Sequence, residues 1–257
     1  MAHANPELLN SSDLMERISN CLNKKTPLAV VSVGATEAFV MAQYVLFSEE
    51  EILDHPEARV ANWNVQEGHF HRGLRFPNVK ARDAAIEAAR QADIIGYNTI
   101  VKPARELAQR VFAVHNINPT AVFEAHLRRV VMISQKEKLV EMLQDKRLLL
   151  VGAPAPEVKR KIETGYLRSY NCRIVGAIRI FDFEEIDRVK DEIAQHEFDI
   201  CFLAAGTNAL ILAPYISKHL GKVAFDIGHG MTSLATQRIV MDDWLMRIIG
   251  LDNIMKM

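Results

Sequence analysis

Short apolar stretches alternate with amphipathic helical patterns along most of this chain, and this alternation limits the folds that it can adopt. Residues 147–152 and 198–204 are almost continuous apolar runs, and each is followed by a stretch of helical character. Strands that are apolar throughout are typical of parallel sheets, which are buried on both faces beneath connecting helices. The sequence therefore predicts an α/β fold, with a Rossmann-like, largely parallel sheet and helices on both of its faces. The predicted strands are 28–33, 93–97, 121–123, 147–152, 173–180, 198–204 and 222–227, and the predicted helices are 12–23, 36–47, 80–91, 103–114, 135–143, 156–168, 183–196 and 207–220.

The length of 257 residues and the apolar fraction of 49% fit one large α/β domain or two small ones. We find no internal repeat, low-complexity tract or linker, and we therefore expect one domain over residues 1–257. Residues 54–78 show no sustained periodicity, and we expect them to form a loop insertion that contributes to the wall of a site. The C-terminal segment 231–257 is expected to pack on the body of the domain, or alternatively on a second subunit of a homo-oligomer. Its apolar residues include Trp244, Leu245, Ile248, Ile249 and Leu251.

The charges of the chain are balanced, with 31 Lys and Arg against 32 Asp and Glu. This balance disfavours a nucleic-acid partner. No apolar run reaches the ~20 residues that a membrane span needs, and the N-terminus lacks the pattern of a signal peptide. The three cysteines, Cys21, Cys172 and Cys201, are scattered and are expected to be packing residues in a reducing compartment. We therefore expect a cytoplasmic protein without a transmembrane segment.

Ligands of open parallel sheets bind beyond the carboxyl ends of the strands, so the candidate site residues follow the predicted strands. The first strand ends at Gly34 and passes directly into a helix through Ala35, Thr36 and Glu37. Backbone amides at a helix start favour phosphate, and Glu37 is a candidate ligand or general base there. The other strand ends contribute Asn98, Gly152, Gly206, Thr207, Asn208, Asp226 and His229.

Several of these positions also have simpler explanations. Gly206 to Asn208 fit an ordinary helix cap, and Asp226 fits a residue that only caps the turn after its strand. Arg72 and Arg128 are candidates for gripping phosphate, although an ion pair with a carboxylate would also account for them. The acid and two histidines in residues 67–71 are a weak metal-binding pattern. The chain contains no complete dinucleotide-binding, Walker or serine-hydrolase motif.

Six segments together resemble the GT-D class of glycosyltransferases, which have a Rossmann-like fold and transfer sugar from a nucleotide-sugar donor. In order and spacing, this resemblance covers about residues 28–230. The segments are SVGATE at 32–37, RGLRFPN at 72–78, AHLRR at 125–129, LLLVGAPA at 148–155, AAGTNALILA at 204–213 and AFDIGH at 224–229.

The resemblance implies transfer of a sugar from a nucleotide-sugar, with a UDP-sugar as the expected donor, to a glycan or protein acceptor. It also implies a Mn²⁺ or Mg²⁺ ion bound by a DxE motif, whose first acid is replaced here by Ala35. Glu37 is then the expected metal ligand, and Glu37 and Asp226 are the expected catalytic residues. The expected donor-binding residues are Gly34, Ala35, Thr36, Arg72, Asn98, Arg128, Gly152, Gly206, Thr207, Asn208 and His229.

Two alternatives remain open from the sequence. The incomplete DxE motif is compatible with a non-catalytic protein of the same fold that binds a nucleotide or sugar, or that serves in assembly. A methyltransferase or another nucleotide-cofactor enzyme has the same type of sheet, although the first strand lacks a glycine-rich cofactor loop with a downstream ribose-binding acid.

Overall fold

The computed structural model describes residues 6–63, 65–66, 69–70, 72–164, 171–239 and 243–257, with only the backbone described at 65–66, 69–70 and 244–245. The strands are β1 (Glu7–Leu9), β2 (Leu28–Val33), β3 (Val65–Gln66), β4 (His69–Phe70), β5 (Ile94–Tyr97), β6 (Ala121–Glu124), β7 (Arg147–Gly152), β8 (Arg173–Ile178), β9 (Ile200–Ala204) and β10 (Val223–Asp226). The helices are α1 (Ser11–Lys24), α2 (Ala35–Ala42), α3 (Glu49–Asp54), α4 (Pro56–Trp63), α5 (Val79–Gln91), α6 (Lys102–His115), α7 (Leu127–Ser134), α8 (Lys136–Leu143), α9 (Ala155–Thr164), α10 (Ile186–Ala194), α11 (Thr207–Leu220), α12 (Gly230–Thr236), α13 (Asp243–Ile248) and α14 (Leu251–Lys256).

Eight of the strands form one sheet in the order β1-β6-β5-β2-β10-β9-β7-β8, and every pairing in it is parallel. The strands β3 and β4 form a separate antiparallel pair. The central strands β2 and β10 are completely buried, and all of their side chains except Ser32 and Asp226 are apolar, as a sheet covered on both faces requires. The predicted α/β fold class is therefore confirmed.

The helices divide between the two faces of the sheet and enclose two apolar cores. One core is formed with α2, α5, α6, α10 and α11, and the other with α1, α7, α8, α9, α12 and α14. The neighbouring strands β2 and β10 continue into helices on opposite faces, since α2 belongs to the first core and α12 to the second. Such a switch opens a crevice at the carboxyl ends of the two strands. Gly34 and Asp226 lie at those ends.

The expected loop over residues 54–78 is wrong in its first part, because Pro56–Trp63 forms the helix α4. Proline suits the first turn of a helix, and the His55 ring accepts a hydrogen bond from the Glu57 amide at 3.2 Å. The buried residues of this helix are Ala58 and Ala61. Alanine side chains are too small to give the apolar periodicity by which an amphipathic helix is recognised.

The C-terminal segment packs on the body of the domain, as expected. Ile249 and Ile254 are buried in the second core, and Leu251 packs against it. Ile248, in contrast, is 59% exposed. The side chains of Trp244 and Leu245 lie outside the described part of the segment. Among the described residues, no helix combines the length and apolar character needed to cross a membrane.

The three cysteines are free thiols that pack against the cores, which confirms their predicted role. Cys201 is buried within the first core, and Cys21 and Cys172 pack against the second.

Candidate functional site

The Glu37 side chain folds back and caps the start of α2, where β2 passes into that helix. Its Oε2 atom accepts a hydrogen bond from the Gly34 backbone amide at 2.9 Å, which satisfies a donor at the start of the helix. A Cβ atom at position 34 would lie 2.8 Å from this oxygen, so a larger residue there would require the Glu37 carboxylate to shift. Glu37 is only 5% exposed, whereas Ala35 is an exposed residue at the mouth of the crevice. Glu37 is thus held in place by the backbone that it caps.

Asp226, at the end of β10, forms a buried ion pair with Arg128 in the first turn of α7. The Arg128 Nη1 and Asp226 Oδ2 atoms are 2.5 Å apart, and Asp226 is 1% exposed. Its other oxygen, Oδ1, accepts a hydrogen bond from the Gly228 amide at 3.1 Å. The predicted cap of the following turn is therefore present, and the same carboxylate also binds an arginine, which the sequence did not predict.

The glycines after β10 make room for Arg128. Gly228 has a φ of +46°, and a Cβ atom there would lie 3.1 Å from both Cζ and Nε of the guanidinium group. At Gly230, a Cβ atom would lie 2.4 Å from the Arg128 backbone oxygen. The absence of side chains at both positions therefore allows the backbone to approach this arginine closely.

The two buried carboxyls and Arg128 form one electrostatic cluster. Burial raises the pKa of Glu37, and the Asp226 charge raises it further, while the Arg128 guanidinium lowers it. Burial likewise raises the pKa of Asp226, and Arg128 and the Gly228 amide lower it. Arg128 thus stabilises the ionised forms of two carboxyls that burial disfavours.

A second ion pair lies beside the start of α2. The Arg72 Nε and Glu57 Oε2 atoms are 3.1 Å apart, although without the geometry of a hydrogen bond. The same Glu57 oxygen accepts a hydrogen bond from the Thr36 hydroxyl at 2.7 Å. Glu57 therefore connects α4 and the 72–78 loop to the helix start, which places both at the crevice. Glu57 was not predicted, because the residues around it were expected to form a loop. The signal that could have revealed it is Pro56, a residue suited to the start of a helix.

The 72–78 loop is fixed by hydrogen bonds to its backbone. The Asn62 side chain donates to the Phe76 oxygen and accepts from the Phe76 amide, both at 2.8 Å. The Gly73 oxygen accepts from the Phe183 amide at 2.7 Å. A Cβ atom at Gly73 would lie 3.3 Å from the Asn208 Nδ2 atom, so this loop reaches the start of α11.

The start of α11 carries polar atoms that are buried without partners. Gly206 precedes the helix with a φ of +54°, a conformation that favours glycine. Thr207 and Asn208 are each 1% exposed. The Thr207 Oγ1 and Asn208 Oδ1 atoms have no hydrogen-bond partner within the described part of the chain. Since buried polar groups are normally hydrogen-bonded, these atoms are candidates for contacts with a ligand. The simpler helix-cap explanation does not apply to these side chains, because neither caps α11.

The Asn98 side chain stabilises the turn between β5 and α6. Its Oδ1 atom accepts hydrogen bonds from the Ile100 and Val101 amides at 3.2 and 2.7 Å, ahead of α6. Its Nδ2 atom lies 3.2 Å from Nε2 of His126. Glu124, which sequence reasoning did not single out, accepts hydrogen bonds from the amide and hydroxyl of Thr99 at 2.6 and 2.5 Å. These residues hold together the carboxyl ends of β5 and β6.

Gly152 and His229 occupy the same edge of the sheet. Gly152 has a φ of +148°, and a Cβ atom there would lie 2.3 Å from the Ala204 oxygen of the neighbouring strand. The close packing of β7 against β9 therefore explains why residue 152 is a glycine. His229 is an exposed residue immediately before α12, and its backbone oxygen accepts hydrogen bonds from Thr232 and Ser233.

The acidic groups of the crevice do not fit a divalent metal ion. Both oxygens of Asp226 and one oxygen of Glu37 are already hydrogen-bonded, and Ala35 offers no ligand. Among the described residues, no three His, Cys, Asp or Glu side chains form a group that could hold a metal. Mn²⁺ and Mg²⁺ require several oxygen ligands. The side chains of the weak metal pattern at 67–71 lie outside the described residues.

Comparison with known proteins shows the family of the chain. The model of the GT-D fold-like domain matches residues 9–234. Two solved structures of domain of unknown function 1792 are similar in fold, each with a TM-score of 0.57, and each pair covers 88% of this chain and 79% of the other. One, at 14% identity, is described as having a distinct glycosyltransferase fold, and the other, at 15% identity, is a selenomethionine-substituted form. No curated protein matches the chain significantly. Because the family match spans most of the chain, this protein belongs to the GT-D-like family.

Proposed function

We propose that this protein is a glycosyltransferase that moves a sugar from a UDP-sugar to a glycan or protein acceptor. The observation that carries this proposal is the crevice between β2 and β10, where the GT-D-like chain gathers Glu37, Arg128 and Asp226. The solved structures of similar fold include one described as having a glycosyltransferase fold. A sugar-transfer site needs a place for a diphosphate and a group that accepts a proton, and we assign these roles to the helix starts with Arg128 and to Glu37.

The donor diphosphate is expected to lie over the starts of α2 and α11. Backbone amides at Gly34 to Thr36 and around Gly206 carry the positive ends of the two helices, which favour anions. When the bond between the sugar and the diphosphate breaks, negative charge builds on the leaving diphosphate. The guanidinium groups of Arg128 and Arg72 stabilise this charge. The buried hydroxyl of Thr207 is available as a further donor.

In this proposal, Glu37 takes the proton from the acceptor hydroxyl as that oxygen attacks the sugar carbon. Its Oε2 atom accepts a hydrogen bond from the Gly34 amide, which fixes the carboxylate at the start of α2. Asp226 acts through Arg128, whose guanidinium it holds, and is therefore a positioning residue. The position of Glu37 two residues after Ala35 corresponds to the second acid of the DxE pattern that the sequence resembles.

A second candidate function is a non-catalytic protein that binds a nucleotide-sugar or serves in assembly. One observation favours it: the carboxylates of the crevice are engaged with Gly34, Arg128 and Gly228, and Ala35 replaces an acid. This candidate predicts that a donor binds without being consumed. The loss of the first acid affects the chemistry of the site more than its shape.

A thermal-shift screen of UDP-sugars, followed by an assay of UDP release with and without acceptors, tests both candidates. The proposal predicts that at least one UDP-sugar raises the melting temperature, and that acceptor-dependent release is lost in Glu37→Ala. Binding without turnover would favour the non-catalytic candidate. Absence of both binding and turnover across the panel, with Mn²⁺ also present in a parallel series, would reject the nucleotide-sugar function itself.

We also place this activity in the cytoplasm, on the basis of the three scattered free thiols, which suit a reducing compartment.

A further inference from the structure

Arg128 is held in the crevice from several sides. Asp226 binds its Nη1 atom, and the Gly228 backbone packs against its Cζ and Nε atoms. Its side chain is 16% exposed, against 1% for Asp226. The guanidinium is thus anchored by Asp226, and the side chain as a whole retains a small exposed portion. It is a fixed positive charge at the carboxyl ends of the two strands that border the crevice.

The same cluster disfavours a divalent cation. A metal ion bound by both carboxylates would compete with Arg128 for Asp226, because both Asp226 oxygens and the Glu37 Oε2 atom already accept hydrogen bonds. It would also approach the guanidinium charge, which acts electrostatically on both carboxyls. At position 35 a methyl group replaces the additional oxygen ligand that an acid would supply. The cluster therefore already contains one cation, the Arg128 guanidinium, and it offers few carboxylate oxygens to bind a second one.

We propose that the crevice binds the diphosphate of its donor without a divalent cation, and that the Arg128 guanidinium supplies the positive charge in its place. This proposal rests on the nucleotide-sugar function above, and it names the group that recognises the diphosphate. A guanidinium carries five N–H donors in a fixed fork, so Asp226 and a phosphate oxygen can be bound by different donors of the same side chain.

Further donors follow the carboxyl end of β9, the strand that pairs with β10. The start of α11 presents Gly206 in a left-handed conformation, followed by the unpartnered Thr207 hydroxyl, which is 1% exposed. Backbone amides at a helix start and a buried hydroxyl donate to phosphate oxygens without a metal bridge. The described crevice therefore contains a cation and neutral donors suited to an anion.

Isothermal titration calorimetry with UDP as the probe tests this proposal on the full chain. Protein stripped with EDTA and desalted is titrated with UDP in the presence of EDTA, in the presence of Mn²⁺, and with Mn²⁺ alone. We expect the UDP affinity to agree within about twofold between EDTA and Mn²⁺. Mn²⁺ alone is expected to give no saturable binding that depends on Glu37, as judged by comparison with Glu37→Ala.

The arginine is tested with a pair of substitutions that leaves no unpaired carboxylate at position 226. Arg128→Met combined with Asp226→Asn is expected to lower the UDP affinity by about tenfold or more, because it removes charge-assisted hydrogen bonds. Arg128→Lys, which keeps the charge without the fork, is expected to lie between this variant and the wild type. The matched control is Arg147→Met with Asp199→Asn, an ion pair at the other end of the sheet, and it is expected to leave UDP binding unchanged. Circular dichroism establishes that each variant is folded.

Three results would overturn the proposal, and they differ from one another. A tenfold or greater loss of UDP affinity in EDTA that Mn²⁺ restores would show a metal-dependent site, even if sugar transfer is observed. Metal-independent binding that is unchanged in the Arg128 and Asp226 variant would show that another group recognises the phosphates. Absence of UDP binding under every condition would reject the nucleotide-sugar function together with this inference.

Discussion

Replacing Arg128 with methionine removes the cation from a buried ion pair while keeping a side chain of similar length. Asp226 is 1% exposed and is bound to Arg128 at 2.5 Å, so the substitution leaves a carboxylate without its partner in the interior. Removal of one partner from such a pair costs about 3–5 kcal/mol of folding free energy. We expect a loss of this size in urea denaturation at about pH 7, followed by circular dichroism.

The stability lost in Arg128→Met should depend on pH. Burial raises the pKa of Asp226 above its ordinary value, and Arg128 opposes this shift, so the pKa rises further in Arg128→Met. A carboxyl with a raised pKa in the folded state favours folding at low pH, and that contribution is lost as the pH rises through the folded-state pKa. The deficit of the variant should therefore shrink between about pH 7 and about pH 5. Addition of Asp226→Asn should recover most of the loss at neutral pH.

The control substitution is Arg147→Met, which removes the same type of partner from Asp199. The two side chains of that pair are 39% and 33% exposed, and the expected loss is about 1 kcal/mol or less. Equal losses for Arg128→Met and Arg147→Met, or a deficit of Arg128→Met that does not change with pH, would refute the role assigned to burial.

Three further substitutions test other parts of the structure. Gly228→Ala should lose about 2–3 kcal/mol of stability in urea denaturation, because the alanine has a left-handed backbone and its Cβ atom crowds the Arg128 guanidinium. The control Gly221→Ala has the backbone cost alone, about 1–2 kcal/mol. Equal losses would contradict the close contact between Gly228 and Arg128. Asn62→Ala should lose about 1–3 kcal/mol in the same assay, because it removes two hydrogen bonds to the backbone of the 72–78 loop; a loss within error of zero would show that the loop is held otherwise. Burial raises the pKa of Glu37, so ionisation of this group reduces the stability of the fold as the pH rises. Glu37→Gln should therefore be at least as stable as the wild type near neutrality, while it loses sugar transfer. Full transfer activity of this variant would show that Glu37 is not the proposed base.

The fold was largely predictable because its central strands are apolar runs bounded by clear signals. The predicted bounds 147–152 and 207–220 match β7 and α11 to the residue. The strand β1 was missed because it has only three residues and lies at the edge of the sheet, where Leu8 is 68% exposed. Helix α4 was missed because the side chains that it buries are alanines. In both elements, tertiary contacts decide the structure, and the local pattern is weak.

The composition of the crevice was predictable from strand ends, but its internal contacts were not. Glu37 and Asp226 were found because each lies at the end of a buried strand. The pairing of Asp226 with Arg128 joins residues 98 positions apart, and it depends on how α7 crosses the sheet. Glu57 had no signal of its own once its helix had been missed.

The most direct test of the account is a crystal structure of the wild-type protein soaked with UDP. We expect the diphosphate to lie between the starts of α2 and α11, within hydrogen-bonding distance of the Arg128 guanidinium and of the backbone amides that follow Gly34. UDP bound elsewhere on the molecule, or an empty crevice at a saturating concentration of UDP, would contradict the central claim that this crevice is a nucleotide-sugar site.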